Sequence, residues 1–381
     1  MHILHVSNDF AGSKVHANLY QALAKKNIRQ TIYCPVRSAS LIGKNDFAAN
    51  ETKVIYDFVI KPFHRYVYHI KRESLFKSLI KKVDLGDVDL CHAATLFSDG
   101  GLAYKIYKQY HIPYVVAVRG TDINGFLNKL PNTWLAGRKI LRNAQRIFFI
   151  SKALMDKFVN HKVIKPILSE IEDKMFLIPN GISDFFIDNV YNIPHCGHKV
   201  LYVGDFSNNK NVLRLGQAVL NLREEEDYND VTLTLVGGGK ATGDEVQAMI
   251  DSHPQVVRFL GPIYDKRRLS EVFRSHSVFA MPSIAETFGL VYIEALTQNL
   301  PVVYTKGQGI DGLFDETVGI GVNPLSIDGI KNAIKTILSS PEKYSNSSID
   351  FENFRWSNVA ERYYPFYDDI ISNNNFTKPI K

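Results

Sequence analysis

Two glutamates in the second half of the chain have residue types and a spacing suited to chemistry. Glu286 lies in a short loop after an apolar run that ends at Met281, and Glu294 lies on an apolar helix predicted to begin near Gly289. Eight positions are a little over two helical turns, so both carboxylates fall on nearly the same face. The start of a helix favours a diphosphate. We predict that Glu286 accepts hydrogen bonds from sugar hydroxyls and Glu294 from a ribose; a helix cap and a solvated surface charge are the alternatives.

A rigid scaffold must hold these side chains, and the chain is predicted to supply parallel sheets wrapped by helices. Short apolar runs alternate with helical patterns such as residues 14–26, which is the signature of a doubly wound α/β fold. The runs predicted to be strands are 2–6, 31–34, 88–92, 114–118, 146–150 and 175–178 in a first series, and 199–204, 232–236, 256–260, 278–281 and 301–304 in a second.

The two series predict two domains, because 381 residues exceed the usual size of one hydrophobic core. Residues 183–198, which contain Pro194 and Gly197, are predicted to be a linker. Ligands of doubly wound sheets bind at the carboxyl ends of the strands. The cleft between the two domains is therefore the expected active site.

Composition excludes several classes of protein. The hydrophobic fraction of 45% and the charged fraction of 22% are those of a globular protein. Three cysteines without a CxxC pair indicate a reducing compartment and no zinc site. No signal peptide is visible, and no apolar run reaches the roughly 18 residues that span a bilayer. We expect a soluble, cytoplasmic protein, with peripheral attachment to the inner face of the membrane left open.

Positive charge is concentrated in the first half. Residues 1–190 carry 27 Lys and Arg against 16 Asp and Glu, and the remainder carries 18 against 23, so an anionic partner is expected near the first domain. Residues 61–82 interleave aromatic and basic side chains, as a helix lying on a membrane surface does. An ordinary surface helix with its aromatic residues turned inward is the alternative. Nucleic acid is not expected, because no motif for binding it accompanies the charge.

The two glutamates carry a family resemblance. Glu286-x7-Glu294, with Thr287, Phe288 and Gly289 after the first glutamate, resembles the Glu-x7-Glu motif of glycosyltransferase family 4, a large group of retaining enzymes with the GT-B fold. Further segments are similar to motifs of that family: 178–182, 202–211, 235–239, 259–261, 299–303, 307–312 and 354–371. The resemblance extends over most of the chain.

The resemblance implies an α/β architecture of two Rossmann-like doubly wound domains that face a central cleft. Residues 1–190 would bind the acceptor and be completed by a C-terminal helix over residues 355–381, and residues 191–354 would bind the donor. The implied partners are a UDP- or GDP-sugar and a glycan or lipid-linked acceptor, as in surface polysaccharide synthesis. No cofactor and no metal ion are implied. Residues 87–89, Asp-Val-Asp, precede a strand and are interpreted as a solvated loop.

The resemblance also implies roles for residues of the donor site. Lys210 would neutralise the leaving nucleotide diphosphate, because charge builds on that oxygen in the transition state. The N–H groups of Phe288, Gly289 and Leu290 would bind the diphosphate. The other implied donor-binding residues are Gly12, Gly204, Gly238, Ile263, Thr287 and Glu294. Retention implies a front-face displacement in which the leaving diphosphate helps to deprotonate the acceptor.

Two positions depart from the family pattern. Asp205 stands where the family has an arginine, so we expect either that it points away from the diphosphate or that Arg214 or Lys306 substitutes. Arg119 stands where the family has a histidine, and an arginine cannot act as a base at neutral pH. Arg119 is expected to bind a phosphate or orient the substrates, and Asp122 to position the acceptor hydroxyl. A buried pair of these two residues that only stabilises the fold is the alternative.

Weaker candidates for acceptor binding follow a strand of the first domain. His92 closes the strand, and Ser98 and Asp99 lie in the loop beyond it. A structural histidine and a helix start are the alternatives for these residues.

Glycosyl transfer is the function that this pattern favours most. A nucleotide-sugar epimerase or a phosphorylase would keep the fold and change the reaction. A catalytically degenerate GT-B protein that acts as a binding or scaffold partner is a third hypothesis, motivated by Asp205 and Arg119. A nicotinamide dehydrogenase is disfavoured, because no GxGxxG follows the first strand.

Overall fold

The computed structural model describes residues 1–65, 67–239 and 243–375. Its strands are β1 (His2–Val6), β2 (Arg29–Pro35), β3 (Thr52–Asp57), β4 (Leu90–Ala93), β5 (Tyr114–Val118), β6 (Arg146–Phe149), β7 (Met175–Leu177), β8 (Lys199–Gly204), β9 (Thr232–Gly237), β10 (Val257–Phe259), β11 (Val278–Ala280), β12 (Val302–Thr305) and β13 (Gly319–Val322). Its α-helices are α1 (Lys14–Ala24), α2 (Tyr68–Lys82), α3 (Gly100–Tyr110), α4 (Trp134–Asn143), α5 (Lys152–Val159), α6 (Leu168–Ile171), α7 (Asp184–Asp188), α8 (Val212–Arg223), α9 (Gly243–Ser252), α10 (Lys266–Arg274), α11 (Leu290–Thr297), α12 (Ile327–Ser339) and α13 (Trp356–Asn375).

The chain divides into two compact units. The first comprises residues 1–150, 154–181 and 356–381, and the second comprises residues 151–153 and 182–355. The division after Gly181 comes earlier in the chain than the predicted one after residue 190. Helix α7 begins within the segment 183–198 that was predicted to be a linker. Residues 376–381 of the predicted C-terminal helix lie outside the described residues.

The first unit is a parallel sheet in the order β3-β2-β1-β4-β5-β6-β7. All five side chains of β1 are buried, as expected for a strand covered on both faces. Helix α13 packs on α1, and Trp356, Tyr363 and Tyr367 join Tyr20 in one apolar cluster. The C-terminal helix thus completes the core of the first unit.

The second unit is a parallel sheet in the order β10-β9-β8-β11-β12-β13. Buried residues of its central strand β8 include Val200, Leu201 and Tyr202, and α8 packs against α12. Both sheets are doubly wound and Rossmann-like, which confirms the predicted fold class. None of the helices in the described ranges has the length and apolar character needed to cross a membrane.

The edge strands β3 and β13 were not predicted from the sequence. β3 is only partly buried and contains the exposed Lys53, so its sequence lacks a continuous apolar run. β13 has glycine at two of its four positions, Gly319 and Gly321, which is a pattern more typical of a loop. The other predicted strands are confirmed, with ends that shift by one or two residues.

Candidate functional site

The structure brings the predicted Lys210 and Glu286 together in the second unit. Lys210 lies in the loop after β8 and Glu286 in the loop after β11, and these two strands are neighbours in the sheet. The ammonium Nζ of Lys210 lies 2.8 Å from Oε2 of Glu286. The other carboxylate oxygen, Oε1, accepts a hydrogen bond from the backbone N–H of Thr287 at 3.0 Å. The side chains are 21% and 13% exposed, so a ligand can reach both.

Two asparagines that the sequence analysis missed hold these loops in place. Asn209 accepts from Ile284 N through its backbone carbonyl at 2.7 Å and from Ala285 N through its side chain at 3.0 Å. Asn211 adopts a left-handed backbone with φ 62°, and its amide donates to the carbonyls of Pro282 and Pro324. Asparagine tolerates this conformation better than most residues. The three asparagines around Lys210, at positions 208, 209 and 211, were the feature of the sequence that could have indicated this structural role.

A helix N-terminus opens directly beside Glu286. Gly289 has φ 77°, and a Cβ there would lie 2.4 Å from the ring of Tyr292 and 3.2 Å from Cγ of Glu286, so the position requires glycine. Within the described chain, the backbone N–H groups of Phe288, Gly289 and Leu290 have no hydrogen-bond acceptor. Unsatisfied N–H groups at the start of a helix form an anion site. The loop therefore has the geometry of an anion-binding site.

Glu294 lies one turn into α11 and is partly buried. Burial raises the pKa of its carboxyl to about 7, and the nearby Lys266 opposes this shift. In the described part of the chain its carboxylate makes no hydrogen bond or ion pair. This carboxylate is free to accept hydrogen bonds from hydroxyl groups of a ligand.

The glycines of β8 and β9 lie close together at the carboxyl ends of their strands. Gly237 has φ 126°, and a Cβ there would lie 1.9 Å from the carbonyl oxygen of Gly204. The N–H of Gly238 donates to the same oxygen at 3.4 Å. Ile263 follows the adjacent strand β10 and is partly buried. Three of the predicted donor-binding residues, Gly204, Gly238 and Ile263, thus lie at or just beyond the carboxyl ends of three neighbouring strands.

The departure at Asp205 has a local structural explanation. Its carboxylate oxygen Oδ1 accepts a hydrogen bond from the backbone N–H of Ser207 at 2.9 Å. The side chain of Arg214 donates to Asn211 Oδ1 at 2.9 Å. The carboxylate of Asp205 therefore stabilises the turn over residues 205–207, as aspartates do in such loops.

In the first unit, Asp122 organises two loops. Its carboxylate accepts hydrogen bonds from the backbone N–H groups of Leu96 (3.0 Å), Phe97 (3.1 Å) and Arg119 (2.8 Å). Burial raises its pKa to about 6, and these three donors oppose the shift. Arg119 is partly exposed, and its Nε donates to the carbonyl of Ala94 at 3.2 Å. The backbone N–H of Arg119, and not its guanidinium, makes the contact with Asp122.

The residues predicted to bind the acceptor differ in exposure. Ser98 is partly exposed and accepts from Lys71 Nζ at 3.3 Å. Asp99 is buried and accepts from Asn8 N at 3.1 Å, and burial raises its pKa to about 7. His92 is 1% exposed, and its Nδ1 lies 2.7 Å from the hydroxyl of Tyr367 in the core of the unit.

The predicted Gly12 lies in the turn between β1 and α1. Its N–H donates to the carbonyl of Asp9 at 3.0 Å, and a Cβ there would lie 3.0 Å from the Asp9 side chain.

Within the described ranges, no three His, Cys, Asp or Glu side chains come together as a set that could hold a metal ion.

Family models match both halves of the chain. The model described as Glycosyltransferase Family 4 matches residues 12–184, and the model described as Glycosyl transferases group 1 matches residues 197–340. A curated relative, the putative teichuronic acid biosynthesis glycosyltransferase TuaC of Bacillus subtilis, is 23% identical over 343 residues, which cover 84% of this chain and 83% of the relative.

Solved structures share the fold over its whole length. A sucrose-phosphate synthase from Thermosynechococcus elongatus superposes with a TM-score of 0.73 at 19% identity, covering 98% of this chain and 100% of that one. Anabaena HepE in complex with UDP and glucose superposes with a TM-score of 0.62 at 17% identity, covering 99% of each chain. The fold and the family matches define a glycosyltransferase of the GT-B type. The chain belongs to glycosyltransferase family 4.

Proposed function

We propose that this glycosyltransferase moves a sugar from a nucleoside diphosphate sugar to a carbohydrate or lipid-linked acceptor, with retention of configuration, in surface polysaccharide synthesis. The observation that carries the proposal is the pair Lys210–Glu286 beside the open helix N-terminus at Gly289. A cation and unsatisfied N–H groups suit the diphosphate, and a carboxylate suits the sugar hydroxyls. Glu294 is proposed to hold the ribose.

A UDP-sugar is the donor that the comparisons favour over a GDP-sugar. HepE, whose fold this chain shares, was solved with UDP and glucose. The name of the Bacillus subtilis relative refers to teichuronic acid biosynthesis, which supports an acceptor in a surface polysaccharide.

The proposed reaction is a front-face displacement. The bond between the anomeric carbon and the diphosphate oxygen breaks, and the acceptor oxygen forms its bond to that carbon on the same face. The acceptor proton passes to the leaving diphosphate. Lys210 and the N–H groups at the start of α11 stabilise the charge that develops on the diphosphate. We propose that they suffice for this purpose, so that activity requires no divalent metal.

Attachment to a membrane surface remains part of the proposal. In the segment 61–82, α2 turns Leu75, Phe76 and Leu79 inward, whereas Ile70 is 51% exposed. Phe63, in the turn before α2, is 47% exposed. Apolar side chains next to lysines suit an anionic bilayer surface, which would place a lipid-linked acceptor near the first unit.

Release of nucleoside diphosphate from a panel of UDP-, GDP- and ADP-sugars tests the proposal, with an acceptor extract and EDTA present. We expect selective release with one nucleotide that survives EDTA and disappears in Glu286→Ala. Glu342→Ala, an exposed glutamate of the same unit, is the matched control and should retain activity. Loss with EDTA would reject metal independence. Absence of release with every donor would favour the non-catalytic partner hypothesis.

A further inference from the structure

A cavity of about 880 Å³, lined by both apolar and polar side chains, opens on the second unit, on a face of the sheet near the edge strand β10. The register of β8, β9 and β10 pairs Lys199 with Thr232 and Thr234 with Arg258. Thr232 and Thr234 are two positions apart on β9, so all four side chains lie on one face. All four line the cavity. Its size is that of a small-molecule site.

Helix α10 lines the cavity with three polar side chains and one valine. Arg268, Glu271, Val272 and Ser275 line the cavity at spacings of three, four and seven positions, which is one face of a helix. Arg268, Glu271 and Ser275 are exposed, whereas Phe273 is buried in the unit. This face of α10 therefore borders the open side of the cavity.

Two largely buried residues each present to this cavity one polar atom that has no partner in the described chain, the hydroxyl of Thr234 and Nε2 of His276. Thr234 is 6% exposed, and in the described chain its hydroxyl makes no hydrogen bond. His276 is 7% exposed, and its Nδ1 lies 2.6 Å from the carbonyl oxygen of Val272. Because a carbonyl only accepts, Nδ1 carries the proton and Nε2 presents a lone pair. Burial lowers the pKa of His276 to about 4, so the ring is neutral at pH 7.

The charged side chains around the cavity are also without partners in the described chain. In the described part of the chain, the side chains of Lys199, Arg258 and Arg268 form no hydrogen bond or ion pair, and neither does the carboxylate of Glu271. Guanidinium groups in this arrangement suit a phosphate. The carboxylate of Glu271 and Nε2 of His276 suit hydroxyl groups, which donate hydrogen bonds.

We propose that this cavity binds a small phosphorylated, hydroxyl-rich molecule of the sugar phosphate class. Arg258 and Arg268 contact the phosphate, and Glu271, Thr234 and His276 contact the hydroxyls. Three cations against one carboxylate fit a dianionic ligand.

The site is separate from the candidate active site. Lys199 and Thr232 begin strands β8 and β9, and His276 precedes β11. The predicted donor-binding residues lie at the opposite, carboxyl ends of these strands, where Gly204 ends β8 and Glu286 follows β11. This second site does not depend on the proposed identity of the donor.

Isothermal titration calorimetry with glucose 6-phosphate and with inorganic phosphate tests the proposal on the full chain. We expect glucose 6-phosphate to bind the wild type, and the variant Arg258→Gln/Arg268→Gln to raise its Kd at least tenfold. Arg267→Gln, an exposed neighbour on α10 outside the cavity lining, should bind as the wild type does. Thr234→Val, which is isosteric, should weaken glucose 6-phosphate severalfold and leave inorganic phosphate unchanged.

Four outcomes would overturn the proposal. They are no heat of binding with glucose 6-phosphate, a Kd unchanged in the double-arginine variant, inorganic phosphate binding as tightly as the sugar phosphate, and complete displacement by UDP. The last result would place the sugar phosphate in the donor site. Since both arginines are exposed, the variants are expected to fold, which urea unfolding would verify.

Discussion

The ammonium group of Lys210 lies 2.8 Å from Oε2 of Glu286, although 76 positions separate the two residues in the chain. Each residue neutralises the charge of the other. The second carboxylate oxygen already accepts from Thr287 N. On the proposed function, a donor must draw Lys210 to its diphosphate and leave Glu286 for the sugar hydroxyls.

This pairing predicts strong and non-additive effects on turnover. Lys210→Ala and Glu286→Ala should each lower kcat by about 10²- to 10³-fold, as the loss of one charge-stabilising group does in other enzymes. The fall in kcat of the double variant should be roughly tenfold smaller than the product of the two single falls, because the effects of residues in contact are coupled. Rates of nucleoside diphosphate release measure this cycle.

A second lysine–glutamate pair in the same unit provides the control. Lys335 Nζ lies 2.6 Å from Glu225 Oε2 on the surface. Alanine variants of these residues should change kcat less than about twofold, since surface ion pairs contribute little. Fully multiplicative losses at Lys210 and Glu286 would contradict the coupling.

Glu294 predicts a dependence of donor affinity on pH. Its carboxyl has a pKa of about 7, so it becomes a carboxylate as the pH rises from 6 to 8. A carboxylate accepts hydrogen bonds from ribose hydroxyls better than a carboxylic acid does. UDP-glucose, whose diphosphate does not titrate in this range, should therefore bind about three- to tenfold more tightly at pH 8 than at pH 6. Calorimetric titrations at both pH values measure the change.

The variant Glu294→Gln removes the titrating group and should flatten this profile while weakening binding. The same substitution bears on stability. A carboxyl whose folded-state pKa is raised contributes stability at low pH that is lost as the pH rises through that value. The stability of Glu294→Gln relative to the wild type should therefore be higher at pH 8 than at pH 5. An unchanged slope of affinity against pH in the variant would argue against a ribose contact.

Asp122 predicts a large effect on stability. Its carboxylate satisfies three backbone N–H groups, those of Leu96, Phe97 and Arg119. Asp122→Ala would leave buried donors without acceptors, and we expect a loss of about 3 kcal/mol in the free energy of unfolding. Asp122→Asn keeps one acceptor oxygen and should lose less. Urea unfolding is the measurement, with the exposed Asp173→Ala as the control. A loss below about 0.5 kcal/mol in Asp122→Ala would show that the loops hold without it.

The sequence predicted the parts of this structure that depend on local pattern. The buried strands are short apolar runs, and the loop of Glu286 has its glycine and helix in the expected order. The strands β3 and β13 lack such runs, because β3 is only partly buried and β13 has glycine at two of its four positions. Asn209 accepts a hydrogen bond from Ala285 N, and Asp122 accepts one from Leu96 N. Both bonds join distant loops, and no local pattern in a single sequence encodes such contacts.

Two buried histidines of the first unit predict that the protein loses stability in acid. Burial is the main cause that lowers the pKa of His16 and of His92 to about 3, and the positive charge of Arg119 adds to it. Each ring takes up a proton near pH 6.5 in the unfolded chain and near pH 3 in the folded one. Between these values the unfolded state binds more protons, so the free energy of unfolding falls as the pH falls. Each histidine contributes about 1.4 kcal/mol per pH unit to this slope.

The buried carboxyls act in the opposite direction. The raised pKa values of Asp99 and Asp122 give stability that is lost as the pH rises toward 7. Differences between variants therefore isolate the histidines. His16→Leu and His92→Phe should each make the slope of unfolding free energy shallower between pH 6.5 and 4, whereas the exposed His253→Leu should leave it unchanged. Urea unfolding across this range measures the slopes. Identical slopes in all three variants would mean that His16 and His92 become protonated without unfolding the surrounding core.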